Sequence, residues 1–301
     1  MLPALHALSR PALHAPDRVP APTTGAGGED VALRDLQADA LSLIVAAVSL
    51  EERARLLVQA VAGRNWSMAF QLLARSDPAD RAALVAGVAL QGRAQMLRTA
   101  AKEGDVGMIK DLLDASRADR AALANTKVHM RNYADPEPVL HWAASRGHVV
   151  LVRLLIDVGA IVDARSKYGG TALMLAAAMG HAEVVAALID ARANVDVPGN
   201  NGTTALMVAV ARGDVEVVKR LLAAGANPDA QNTNGFTVLM VAAEHGHAKV
   251  VKRLLAAGAN ADAQDKYGDT ALDLAAENNH ADVVNLLRAV GAPEELSLIH
   301  I

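Results

Sequence analysis

The chain has 301 residues, of which 52% are hydrophobic but only 2% aromatic; 29 Lys and Arg stand against 33 Asp and Glu for a net charge of -4, and there is no cysteine. Without cysteine, a disulfide framework, thiolate zinc, iron-sulfur clusters and a Cys nucleophile are all excluded, and the near-neutral charge argues against sequence-blind nucleic-acid binding. So few aromatics cannot fill one large core, so the apolar content belongs in a thin layer where short Ala- and Leu-rich helices pack closely. In chain order, residues 1–30 read as a disordered Pro-, Ala- and Gly-rich tail in which Arg, His and Pro interrupt any signal-peptide apolar run. The longest apolar stretch, Leu41 to Leu50, has the length of a core helix and falls short of a membrane span. The expectation is a cytoplasmic chain, with secretion as an effector left open.

Residues 31–132 read as a helical region. Thr99 to Leu113 (TAAKEGDVGMIKDLL) has the pattern helix, Gly104 turn, helix, and Gln59 to Leu73 repeats it some 40 residues earlier. Ala79-Asp80-Arg81-Ala82-Ala83-Leu84 returns as Ala118-Asp119-Arg120-Ala121-Ala122-Leu123. Together these predict two degenerate helical repeats with longer connectors and added connector helices. Leu36 to Trp66 also resembles an F-box, with its Leu-rich helix, basic-apolar helix and late Trp, although Gln37 stands where that family has Pro. This likeness implies a ubiquitin-ligase substrate adaptor; a capping helical hairpin gives the same spacing.

From residue 133 the chain repeats every 33 residues: Leu140, Leu173, Leu206, Leu239 and Leu272 are equivalent, and Thr171, Thr204, Thr237 and Thr270 precede the last four by two. The five units are 133–165, 166–198, 199–231, 232–264 and 265–293. Each reads as a Thr N-cap, a short Ala-rich helix, a Gly stop and a second helix with one apolar face, such as Val184, Val185, Leu188 and Ile189. Gly169, Gly202, Gly235 and Gly268 mark the chain reversals between units. A lone hairpin buries too little to offset its ordering entropy, so stability must come from interfaces between stacked units.

Residues 133–292 resemble the ankyrin repeat, whose pattern is a Gly turn, Thr-Pro-Leu-His, Ala-Ala, Gly-His, Val-Val, Leu-Leu and Gly-Ala. The resemblance implies an all-α ankyrin-repeat solenoid of stacked helix-turn-helix units with a helical N-terminal extension. The family's Pro is replaced by Ala172, Ala205, Val238 and Ala271, and its His by Met174, Met207, Met240 and Asp273, remaining only as His141. An inter-repeat network built on that His is therefore not expected. Arg192 stands where other units have Gly, which predicts a less relaxed left-handed cap. Asp273, Asn279, Asn285 and Arg288 make the fifth unit polar, as a terminal cap would be. Residues 294–301 read as a tail, with 296–301 resembling a sequencing-adapter scar.

His148, His181, His247 and His280 recur once per repeat, about 10 Å apart, whereas ligands of one zinc ion lie ~2.1 Å from it. They are expected to bond neighbouring backbone instead. No nucleotide-binding glycine motif or nucleophile elbow is present, so no catalytic, cofactor-binding or metal residue, no cofactor and no enzyme activity are expected. The ankyrin resemblance implies that the turn tips and the exposed ends of the first helices bind a protein. By matched position the tips are Lys167, Tyr168, Gly170, Asn201, Thr203, Asn234, Phe236, Lys266, Tyr267 and Asp269, and the helix ends are Arg146, Met179, Arg212, His245 and Asn278. The expected function is a non-catalytic interaction module or scaffold: a monomer binding an unidentified protein, with no nucleic acid and no membrane. The alternatives are the F-box-like adaptor or a regulatory subunit of a neighbouring enzyme.

Overall fold

The computed structural model describes residues 49–63, 66–115, 119–129 and 136–291. Residues 1–30, residues 36–48 of the F-box-like segment, Tyr133 and residues 294–301 lie outside the described residues. The described residues form sixteen helices in two compact units, one within Arg10–Pro136 and one within Glu137–Ile301.

The first unit holds α1 (Leu50–Ala62), α2 (Trp66–Ala74), α3 (Pro78–Ala86), α4 (Leu90–Glu103), α5 (Val106–Ala115), α6 (Arg120–Ala124) and the short strand β1 (Lys127–His129). Two of its helices, α1 and α3, begin at a side-chain acceptor: Ser49 takes the Glu52 N–H and Asp77, with Pro78 after it, takes that of Asp80, whereas Ala89 before α4 supplies none. Gly104, left-handed at φ 83°, ends α4, and Asp105 Oδ1 caps α5 by accepting the Met108 N–H at 2.9 Å. The unit is one three-helix motif made twice. Leu57, Leu72 and Leu73 of the first copy and Leu97, Leu112 and Leu113 of the second are fully buried at corresponding places.

One ion pair is duplicated with the motif. Arg53 meets Asp80 at 2.9 Å, and Arg93, 40 residues after Arg53, meets Asp119 in the same way. The repeated Asp-Arg dipeptide thus has a cause: its Asp clamps the first helix of its motif. Its Arg turns back onto the chain, Arg81 Nε donating to Ser76 O and Arg120 Nε to Leu113 O.

In the second unit, β2 (Pro136–Pro138) leads into five helical hairpins: α7 (Val139–Ser145) with α8 (Val149–Asp157), α9 (Ala172–Met179) with α10 (Ala182–Asp190), α11 (Ala205–Arg212) with α12 (Val215–Ala223), α13 (Val238–Glu244) with α14 (Ala248–Ala256), and α15 (Ala271–Glu277) with α16 (Ala281–Gly291). Thr171, Thr204, Thr237 and Thr270 accept the N–H three residues on, as N-caps do. At two of these starts the residue that replaces the family's His completes the cap: Met240 Sδ takes the Thr237 N–H at 3.3 Å, and Asp273 Oδ2 takes the Thr270 N–H at 2.9 Å.

First helices pack on first helices along the stack, α7 on α9, α9 on α11, α11 on α13 and α13 on α15. Ala is required there: every residue from Ala172 to Ala178 is buried, so α9 is enclosed on nearly all sides and only small side chains let its neighbours approach. The second helices close the layer with Leu151, Val152 and Leu155, then Val184, Val185 and Leu188, and their equivalents, with Ile189 half-buried. Burying each such Val or Leu stabilises by about 1.5–3 kcal/mol. The unit is the all-α repeat solenoid expected from the 33-residue period.

Two residues other than Gly have positive φ among the described residues: Arg192 at 62° and Asn279 at 60°. Arg192 ends α10 where the other hairpins use Gly, and an L-residue there carries left-handed strain of about 1 kcal/mol. Arg192→Gly is therefore expected to raise stability by about that amount, read as a higher denaturant midpoint in urea unfolding; an unchanged midpoint would show that the surroundings already repay the strain.

Candidate protein-recognition surface

The turn tips are built by a local rule. The first residue of each tip closes a loop, with Ser166, Gly199, Asn232 and Asp265 N–H donating to Gly170, Thr203, Phe236 and Asp269 O at 2.8–3.0 Å. Where that residue has an oxygen, the side chain also holds the tip from inside: Asn232 Oδ1 accepts from Asn234 N and Phe236 N at 2.8 and 3.1 Å, and Asp265 Oδ1 from Tyr267 N and Asp269 N at 2.8 and 3.0 Å. Gly199 has no side chain, so Asn201 Oδ1 takes the Thr203 N–H instead, at 3.2 Å. Adjacent tips are zipped together, Asn200 N to Tyr168 O, Thr233 N to Asn201 O and Lys266 N to Asn234 O, at 3.2, 2.9 and 3.2 Å.

On this rigid strip Tyr168 is 60% and Tyr267 80% exposed. Lys167, Asn234 and Lys266 are exposed beside them, and Arg146, Met179, Arg212, His245 and Asn278 are exposed at the first-helix ends. Gly170, Asn201, Phe236 and Asp269 are half-buried. Thr203 does not belong to the exposed row: it is 5% exposed, drawn inward by the two backbone bonds that close its turn. Val150 and Ile161 in the first hairpin are exposed and apolar, and the sequence reading passed over them. A signal existed, since later units place Glu, Lys or Asp at the equivalents of Val150, and the next three units place Asn at that of Ile161.

Three of the four recurring histidines bond the preceding repeat, while the His148 ring instead lies 5.2 Å from that of Trp142. His181, His247 and His280 Nε2 lie 3.2, 3.2 and 3.0 Å from Ser145, Ala211 and Glu244 O. A carbonyl only accepts, so Nε2 carries the proton in each. The third hairpin has Asp214 at this place, and Arg212 Nη1 donates to the equivalent carbonyl, Ala178 O, at 3.1 Å. Part of the Arg212 guanidinium is thus engaged within the stack. Burial, helped by Arg146 and His181, holds the His148 pKa below its ordinary value; burial also lowers that of His247, opposed by its bond to Ala211 and aided by His245 and His280. His245 and His247 stack at 5.9 Å, and among the described residues no three His, Asp or Glu gather as a metal site requires.

His141 lies fully buried in the first hairpin. Its Nε2 donates to Ala164 O at 2.9 Å, and its Nδ1 lies 3.1 Å from Glu137 Oε2. Glu137 is itself 2% exposed, and its Oε1 has no hydrogen-bond partner. The family's His therefore acts within its own repeat here, as half of a buried ionisable pair.

A family model described as ankyrin repeats (three copies) matches residues 97–199, 162–232 and 206–294. The chain belongs to the ankyrin-repeat family. No curated protein matches it. Ankyrin repeats are generally protein-protein interaction modules, and among the described residues no helix is long and apolar enough to cross a membrane.

Proposed function

We propose that the chain is a non-catalytic recognition module that holds a partner protein against its turn tips and first-helix ends. The exposure of Tyr168 and Tyr267 carries this reading: turn tips are normally polar, and large aromatics left in water are characteristic of binding hot spots. Three repeats separate the two rings, about 30 Å at one helix diameter per repeat, a span suited to a protein surface or extended segment rather than a small molecule. The zipped tips supply a preformed surface, so association orders little of it.

The test uses the full chain as bait in an extract of its source cells, alone and as Tyr168→Ser/Tyr267→Ser. The double variant is expected to lose a protein that the unaltered chain retains, with the melting temperature unchanged. Retention of that protein, or a fall in melting temperature, would assign the two rings to packing.

A further inference from the structure

We propose that Asn234 is a site of spontaneous covalent modification, at which the nitrogen of Gly235 converts the Asn side-chain amide to a carboxylate. Two tips carry the Asn-Gly dipeptide, Asn201-Gly202 and Asn234-Gly235. A following Gly has no Cβ to obstruct approach of its nitrogen to the Asn Cγ. The Gly235 nitrogen loses its proton to water and bonds to Cγ, the bond from Cγ to the amide nitrogen breaks, and ammonia leaves from a five-membered succinimide. Water then opens that ring at either carbonyl, giving Asp or isoaspartate, with no oxidant or reductant consumed.

The structure separates the two sites. Both attacking nitrogens are held in their turns, Gly202 N by Gly199 O and Gly235 N by Asn232 O, each at 2.9 Å, so both reactions wait for the turn to open. Asn201 is restrained further: it is half-buried and its Oδ1 holds Thr203 N at 3.2 Å, because Gly199 cannot. In the next tip Asn232 performs that task, which leaves Asn234 exposed and its side chain without a hydrogen bond among the described residues. One such bond shifts an opening equilibrium by about fivefold. The product adds a negative charge beside Lys266, whose N–H donates to Asn234 O at 3.2 Å, and the isoaspartate form lengthens the backbone at that carbonyl. Any effect on binding rests on the function proposed above; the chemistry does not.

The full chain is incubated at mildly alkaline pH and digested with trypsin, which places Asn201 in the peptide 193–212 and Asn234 in the peptide 221–249. Fragment masses locate the change. Asn234 is expected to gain about one mass unit, and to become a substrate for protein-isoaspartate methyltransferase, about fivefold faster than Asn201. In urea the two rates converge, and in Asn234→Gln the site stays unconverted. Equal rates in the folded chain overturn the proposal, as does an Asn234 that stays intact when folded but converts in urea. If Asn234 converts while Asn234→Asp retains the partner fully, the modification stands and the recognition reading fails at that residue.

Discussion

Replacing His141 with Met, the residue found at its place in three later repeats, is expected to destabilise the protein by about 3–5 kcal/mol rather than being tolerated as a family-like change. The reason is Glu137. Its Oε1 already lacks a partner and its Oε2 is satisfied only by His141 Nδ1, both side chains being essentially inaccessible. Because His141 Nε2 must donate to Ala164 O, one proton is shared between Nδ1 and the carboxyl. Removing the ring strands the acid in a medium that cannot hydrate it. The double variant Glu137→Thr/His141→Met copies the third unit, where Thr203 and Met207 occupy these places, and should recover to within about 1 kcal/mol of the starting protein, since replacing both members of a buried pair is often neutral. Urea unfolding followed through the buried Trp142 measures the coupling as a double-mutant cycle. A single His141→Met variant as stable as the parent would refute it.

The second large effect is expected at Gly213. Its φ is 76°, and an added Cβ would lie 2.7–2.9 Å from three atoms of the His247 ring. Ala there adds left-handed strain of about 1 kcal/mol and displaces the ring from Ala211 O, worth about 1 kcal/mol more. Gly225 is the control, because its φ is 87° but a Cβ added there would meet nothing within 4 Å. Gly213→Ala should therefore cost about twice as much as Gly225→Ala. Equal losses in urea unfolding would mean that the histidine contact contributes nothing.

The fold was legible in the sequence because its determinants are local and recur: Thr N-caps, Ala-rich first helices, the apolar stripe of the second helix and a Gly at each reversal all return at one period. The strained cap at Arg192 could be read from a single departure. What escaped reading depends on contacts across the chain. The link from Arg53 to Asp80 spans three helices, so the repeated Asp-Arg dipeptide was visible while its purpose was not. Glu137 lies just before the first recognisable repeat motif, and no periodicity marks it as the partner of His141. Among the surface residues, exposure of Tyr168 and Tyr267 follows from their place in the turn, but the inward Thr203 depends on the missing side chain of Gly199. Arg212 looked like a free helix-end cation because the absence of His at position 214 leaves no positive signal.

The bonds that cross from one repeat to the next share a direction. At the tips, at the histidines and at Arg212 the donor belongs to the later repeat and the acceptor to the earlier one; Asn194, Asn227 and Asn260 N–H likewise donate back to Asp163, Asp196 and Asp229. Arg165, donating forward to Pro198 O, runs the other way. Each of these units therefore has a face that mostly donates and a face that mostly accepts. Removing residues 199–231 as a whole would bring the His247 ring to the carbonyl that Arg212 now serves. Loss of that one whole unit by recombination would thus keep donor and acceptor in register at this place, whereas a deletion of another length would move them out of register.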